Sequence, residues 1–296
     1  MTDAWRGLAD VAPVNPLLRR LGFGPRDRVV ILQADDIGMC EATVAALPAL
    51  ADSKLITSAS VMVPCPSFSA AAEWLVLHPE IDCGVHITLT SEWEHYRWRP
   101  LSTLDPASGL IDDRGFMPRS VDELERRGRP DAALAEARAQ LTRARASGLQ
   151  PSHLDAHMLA FRRVFPTKYV ELALEARLPV LIEWLDVTRL GGQGTHATVL
   201  DERALPVFDH VAYAPNDGLP EDRVSILKGM FDRLPPGLSC FITHPACDTP
   251  ELRAIVPKWQ YRVADYMAVQ NATLEAHVRS SGIHLVTYRD LAGRRP

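Results

Sequence analysis

Short apolar runs rich in β-branched residues alternate along the chain with polar breaks and stretches of helical period. RVVILQADD (28–36), ITSASVMVP (56–64), DCGVHITLT (82–90) and SHLDAHM (152–158) read as strands, as do LPVLIEW (178–184), FDHVAYA (208–214), SCFITHP (239–245) and IHLVTYR (283–289). Helices are predicted from Glu41 to Ser53, kinked or shortened by Pro48, and from Phe68 to Leu77 behind Ser67 as N-cap. Further helices are predicted from Asp131 to Ser147, over 167–177, and in one long piece from Tyr261 to Ser280. Ser120 and Glu123 carry the S-x-x-E signature of a capping box. Eight strands mostly separated by helices imply a parallel sheet with right-handed crossovers, and eight is the number that closes a barrel. The expected fold class is α/β, a TIM-like (β/α) barrel with room for irregularity. An open doubly wound sheet is the rival, but no Gly-rich phosphate turn follows the first strand. The rhythm breaks after residue 90, predicting a long loop insertion at about 91–130. Residues 1–27 read as an N-terminal extension and 28–296 as a single barrel domain.

Polar residues fall at the strand ends. Asp35 and Asp36 end the first strand, His86 lies late in the third, His157 ends the fourth and His244 ends the seventh. In a parallel barrel these ends converge on one mouth, where the chemistry of the fold is built. Alternation puts His153, Asp155 and His157 on one face of the fourth strand, opposite Leu154 and Ala156. Gly84, His86, Thr88 and Thr90 likewise share a face of the third, opposite Val85, Ile87 and Leu89. At Asp35 and Asp36 alternation does not decide, because the chain is leaving the strand.

Two imidazoles and a carboxylate make a divalent-metal set that leaves positions open for water and substrate. A second, free carboxylate can take a proton from water, and a histidine across the mouth can protonate a leaving group. Either Asp35 or Asp36 suits the first task and His244 the second, a set fitted to hydrolysis of an amide or ester. Each feature alone has a plainer reading: Asp-Asp as a turn or ion pair, a strand histidine as a hydrogen-bonded core residue. Their coincidence at one mouth favours the site. GGQGT (191–195) lacks the lysine of a phosphate loop and reads as a plain loop. The arginines of 114–145 alternate with acids, as on a solvated helix face. Trp93, Tyr96 and Trp98 suit either stacking on sugar rings or folding the long loop onto the barrel.

Composition narrows the classes. The chain has 296 residues, 47% hydrophobic and 23% charged, as in a globular protein. With 32 basic and 37 acidic residues its net charge is −5, which gives no general attraction to nucleic acid or anionic lipid. No apolar run approaches the ~20 residues of a membrane span. Five cysteines without a CxxC pair read as reduced thiols. A soluble cytoplasmic protein is expected, without nucleic-acid or membrane partner; homo-oligomerisation is left open.

QADDIG (33–38), GVHITLT (84–90), HLDAHM (153–158) and THPA (243–246), with the closing YRVADYMAVQ and GIHLVTYRDL, resemble the blocks of the YdjC/ChbG-like carbohydrate deacetylases, which are polysaccharide deacetylase-like. The resemblance runs from about residue 28 to 291. It implies a TIM-like barrel, one divalent metal ion and removal of the N-acetyl group from an amino sugar or chitooligosaccharide-like substrate. It also implies Asp36, His86 and His157 as ligands, Asp35 as the base and His244 as the acid. Zinc is favoured, with magnesium or another transition metal as alternatives. His153, Asp155, Trp93, Trp98 and Arg262 are expected to support the ligands or line the substrate. Gln33 replaces the usual Asn before the acidic pair, Ile37 the usual Phe after it, and Leu159 and Phe161 stand where many members carry histidines. The alternatives are a metal-dependent hydrolase of another amide or ester, an N-acyl glycolipid included, and a non-catalytic sugar-binding barrel.

Overall fold

Residues 15–189, 206–216 and 219–293 are described in a computed structural model; residues 1–14 and the predicted loop 191–195 lie outside them. Among the described residues seven strands form one sheet: β1 (Arg28–Ile37), β2 (Ser58–Val61), β3 (Cys83–Ile87), β4 (Leu154–Ala156), β5 (His210–Tyr213), β6 (Gly237–Thr243) and β7 (Ile283–Leu285). Their order is β4-β3-β2-β1-β6-β5, with β7 also paired to β1, and every pairing is parallel. β1 shares one edge between two neighbours: Arg28–Val30 pair with β7, and Gln33, Ala34 and Ile37 with β2. The predicted strand 178–184 is reduced to isolated parallel bridges, Leu154 with Val180 and Glu183 with Phe208. Pro179 has no N–H to give to a ladder there, although its carbonyl accepts from Leu154. These bridges span the side between β4 and β5, so the round is an imperfect TIM-like barrel.

The inward and outward faces follow the expected alternation. Val29 and Ile31 of β1 join Leu238, Cys240, Phe208 and Tyr288 in an apolar floor inside the barrel. Val30 and Leu32 face outward, packed with Phe231, Phe241 and Leu274. Val85, Ile87, Leu154 and Ala156 pack outward against Ala137, Leu141 and Tyr169. The interior of β3 and β4 is thereby left to Gly84, His86, His153 and Asp155. Leu17 and Leu18 of the helix Pro16–Arg20 pack into the floor, and Asn15 Nδ2 donates to the Val207 carbonyl at 2.8 Å.

Some predicted helices are interrupted, each for a local reason. Pro48 sits near the start of a second helix, Leu47–Asp52, after Glu41–Ala45. The long last helix divides into Trp259–Ala268 and Ala272–Ser280, because Asn271 caps the second piece, its side chain accepting from the Thr273 and Leu274 N–H groups. Ser120 caps the helix Val121–Arg127 by accepting from the Glu123 N–H at 3.1 Å, but the Glu123 carboxylate turns to the Arg119 N–H. Only half of that box forms. The stretch after β3 is a loop up to this helix, apart from one 3-10 turn at Pro106–Ser108. It is held down by Trp98 Nε1, which donates to the Thr90 carbonyl at 2.7 Å, and by Leu101 and Ser102, whose N–H groups donate to the Glu136 carboxylate at 3.0 and 2.8 Å. All five cysteines are free. No helix among the described residues is long and apolar enough to cross a membrane.

Candidate metal centre and active site

The acidic pair owes its geometry to an irregularity in β1. Between the pairings Ala34–Ala59 and Ile37–Val61, β1 carries one residue more than β2. Asp36 takes up the extra length in a left-handed conformation, φ 63°, which aspartate tolerates better than most residues. Alternation is broken there, and both carboxylates turn into the barrel. A similar device follows β4: Met158 and Leu159 have φ of 52° and 56°, so the chain turns sharply just past His157. Left-handed conformations of such residues cost about 1–3 kcal/mol each and persist where the surrounding structure enforces them.

Asp36 Oδ1 is the meeting point. His86 Nε2 lies 3.3 Å from it and His157 Nδ1 3.0 Å. Its other oxygen, Oδ2, accepts from Arg262 Nη2 at 2.6 Å. His86 Nε2 is also 3.8 Å from Asp35 Oδ2, and His86 Nδ1 is 2.9 Å from Asp155 Oδ1. Ser60 donates to that same Asp155 oxygen. Gln33 Nε2 donates to Asp155 Oδ2 and to Asp35 Oδ1, both at 2.6 Å. Two overlapping sets of donor atoms therefore lie within 4.8 Å of one another: Asp36, His86 and His157, and Asp35, His86 and Asp155.

The charges divide unequally between the two aspartates. Burial, with Asp155 and Asp36 adding repulsion, pushes Asp35 up to about 7 against the pull of His86. Burial also opposes ionisation of Asp36, but Arg262 and His157 outweigh it and hold that carboxyl well below its ordinary range. His157 is raised to about 9, burial being overcome by Glu92 and Asp36. His86 is raised for the same kind of reason, by Asp155 and Asp35. Burial pushes His244 down to about 4, with Asp36 opposing.

Asp35, Asp36, His86, Asp155, His157 and Arg262 thus come together. Trp98 joins them as a wall, its ring edge-on to His157 at 6.3 Å between centroids. Trp93 packs beside it in an apolar cluster with Met39, Met117 and Leu252. His244 follows directly on β6, half-buried, its backbone N–H donating to Asp265 Oδ2 at 3.0 Å. His153 is not brought into the group. Its ring stacks on Tyr288 at 3.7 Å in the layer below, with Nδ1 2.9 Å from Ser152 Oγ. Two contributors, Ser60 and Glu92, escaped the sequence reading, and a third, Gln33, entered it only as a departure from the usual Asn. Gln33 and Ser60 lie on inward strand faces, a position that alternation could have flagged. Glu92, whose Oε2 is 3.1 Å from His157 Nε2, stands on the aperiodic loop, where no pattern points to it.

One carboxylate oxygen and two imidazole nitrogens converging on a point make a donor set suited to a divalent cation. Each imidazole also has its second nitrogen beside a carboxylate, Asp155 for His86 and Glu92 for His157, as ligand histidines usually do.

A family profile described as YdjC-like protein matches residues 29–280. A carbohydrate deacetylase of Thermus thermophilus is 37% identical over 261 residues, covering 86% of this chain and 90% of the relative. One from Geobacillus stearothermophilus is 28% identical, covering 89% and 98%. Among solved structures, a protein of Enterococcus faecalis V583, provisionally assigned to cellobiose-phosphate cleavage, shares the fold with a TM-score of 0.72 at 19% identity, covering 90% of this chain and 99% of that one.

Proposed function

The chain belongs to the YdjC-like family, and on that premise we propose that it is a metal-dependent carbohydrate deacetylase, removing the N-acetyl group from an amino sugar or chitooligosaccharide and releasing acetate. The observation that carries this reading is the convergence of Asp36 Oδ1, His86 Nε2 and His157 Nδ1, with the Asp35 carboxylate alongside. Asp36, His86 and His157 would hold the ion, zinc being favoured by the two imidazoles and magnesium or another transition metal remaining compatible. A bound divalent cation supplies a Lewis acid for the acetyl carbonyl and lowers the pKa of water toward ~7.

The protein groups do the rest. Asp35, whose carboxyl burial raises to about 7 in the metal-free protein, receives the proton of the attacking water. Gln33 fixes one Asp35 oxygen, so the other faces the centre. His244, kept neutral at rest by burial, takes up a proton from solvent as negative charge develops in the tetrahedral state and passes that proton to the departing nitrogen, returning to its neutral form. Trp98 and its apolar neighbours exclude bulk water from the side of His157.

The test pairs metal content of the purified protein with acetate release from diacetylchitobiose before and after chelation. Metal near one per chain, with acetate release abolished by chelator and restored by zinc, is the expected result. An Asp36→Ala protein that kept full metal and activity would overturn the assignment.

A further inference from the structure

We infer that the two ligand histidines use different ring nitrogens, His86 through Nε2 and His157 through Nδ1, and that Glu92 is the positioning residue that enforces the second choice. The inference rests on the metal-centre reading above and deepens it. An imidazole exposes one nitrogen to a cation and carries a proton on the other, so whatever accepts that proton decides which nitrogen is free. Around His86 the carboxylate beside Nδ1 is Asp155, at an ion-pair distance of 2.9 Å though not aligned as a hydrogen bond, and Nε2 is left facing Asp36 Oδ1 at 3.3 Å. Around His157 the order is reversed. Glu92 lies 3.1 Å from Nε2, and it is Nδ1 that faces Asp36 Oδ1 at 3.0 Å.

The backbone explains the reversal. His86 stands within β3, where its side chain projects straight into the barrel and Asp155, paired beside it on β4, meets the near nitrogen. His157 stands one residue beyond β4, at the entrance to the left-handed turn of Met158 and Leu159, which sets its ring differently. Trp98 packs edge-on against that ring, and its indole is tied to the Thr90 carbonyl. Thr90, Ser91 and Glu92 are consecutive, and the Ser91 Oγ accepts from the Trp98 N–H at 3.0 Å. One short segment therefore supplies both the wall that orients the His157 ring and the carboxylate that takes its outer proton. The long loop after β3 becomes part of the metal site, although none of its residues is a ligand.

The experiment loads the full-length protein, labelled with 15N-histidine, with zinc alone and records long-range 15N–1H correlations of the imidazoles. The expected spectrum shows His86 protonated at Nδ1 and His157 protonated at Nε2, assigned with His86→Gln and His157→Gln proteins. Zinc affinity of metal-free protein, measured by calorimetric titration, gives the second readout. Glu92→Leu should weaken it by about 10–100-fold, and Glu92→Gln, whose amide oxygen still accepts a hydrogen bond from the ring N–H, by less. A circular dichroism spectrum matching the parent in both variants separates this from misfolding. Zinc held through Nε2 of both histidines, or parental affinity in Glu92→Leu, overturns the inference while leaving the metal centre intact. A parent protein that binds no zinc, or a His86→Gln protein that binds it as tightly as the parent, overturns the metal-centre reading and this inference with it.

Discussion

Arg262 and Asp36 meet across 226 residues of sequence, a guanidinium nitrogen 2.6 Å from Oδ2, while the other Asp36 oxygen faces two imidazoles. The pair is nearly closed to solvent: Asp36 keeps 1% of its side-chain exposure and Arg262 12%. A carboxylate buried this deeply is kept ionised by its cationic neighbours, and so offers the negative charge that the proposed metal ion would need.

Removing the arginine should therefore hurt the metal-free protein most. Arg262→Leu leaves a buried carboxylate without its principal cation, a type of loss that costs about 3 kcal/mol. Zinc at the neighbouring oxygen replaces part of the missing positive charge, so the deficit should shrink when zinc is present. Urea unfolding of parent and variant, each with chelator and with excess zinc, measures both numbers. Equal deficits under the two conditions would show that Arg262 does not act through the Asp36 charge.

A second prediction concerns the layer beneath. A Cβ on Gly84 would come within 2.4 Å of the His153 ring. That ring is clamped on its own side by Tyr288, stacked at 3.7 Å with the planes 8° apart. The ring is fully buried, so any shift must displace packed neighbours. Gly84→Ala should lose about 1–3 kcal/mol of stability through overpacking, read from the urea midpoint at unchanged slope. A protein as stable as the parent would mean that the stack slides without cost.

Much of this was visible in the sequence, and the parts that were not have physical reasons. His86 and Asp155 lie within regular strands, so period-2 alternation placed them inward. Asp35 and Asp36 were located but not oriented, because the extra residue of β1 and the left-handed Asp36 follow from pairing with β2, not from local pattern. His153 shares its face with Asp155 and His157, but alternation does not give height along the barrel, and one layer separates a residue of the candidate metal centre from a stacked core residue. The segment 178–184 has the apolar run of a strand, yet only Val180 and Glu183 find bridging partners. Glu92 and Arg262 depend on where a loop and a helix return to the mouth. Such contacts are set by packing between elements distant in sequence.

The division between the two aspartates yields a third prediction. Asp35→Asn keeps the size of the side chain and still accepts from Gln33, but it cannot take a proton from water. Its kcat for acetate release should fall about 10²–10⁴-fold. Metal content should stay near that of the parent, because Asp36, and not Asp35, faces His157. Loss of metal together with activity would instead place Asp35 among the ligands, in the set it forms with His86 and Asp155.

The last prediction is a pH dependence carried by His244. Burial holds its imidazole at about 4 against the ordinary 6.5, so as the pH falls the unfolded chain takes up the proton first. The contribution to stability is whole above pH 6.5 and is lost as the pH falls from 6.5 through about 4. Each tenfold difference in proton affinity between the folded and unfolded chain is worth about 1.4 kcal/mol, so the loss has an upper limit of about 3 kcal/mol. The parent profile alone conceals it. Asp35, raised from 3.8 to about 7, has the opposite sign: its contribution is present at low pH and disappears as the pH rises through 7. The two trends offset one another over much of the same range, so the difference between proteins is the informative quantity. Urea unfolding at pH 6.5, 5.5 and 4.5, in chelator, should show the parent losing stability relative to His244→Gln at each acid step, since glutamine does not titrate. Parallel profiles would mean that the His244 ring is hydrated in the folded protein and takes up its proton at the ordinary pH.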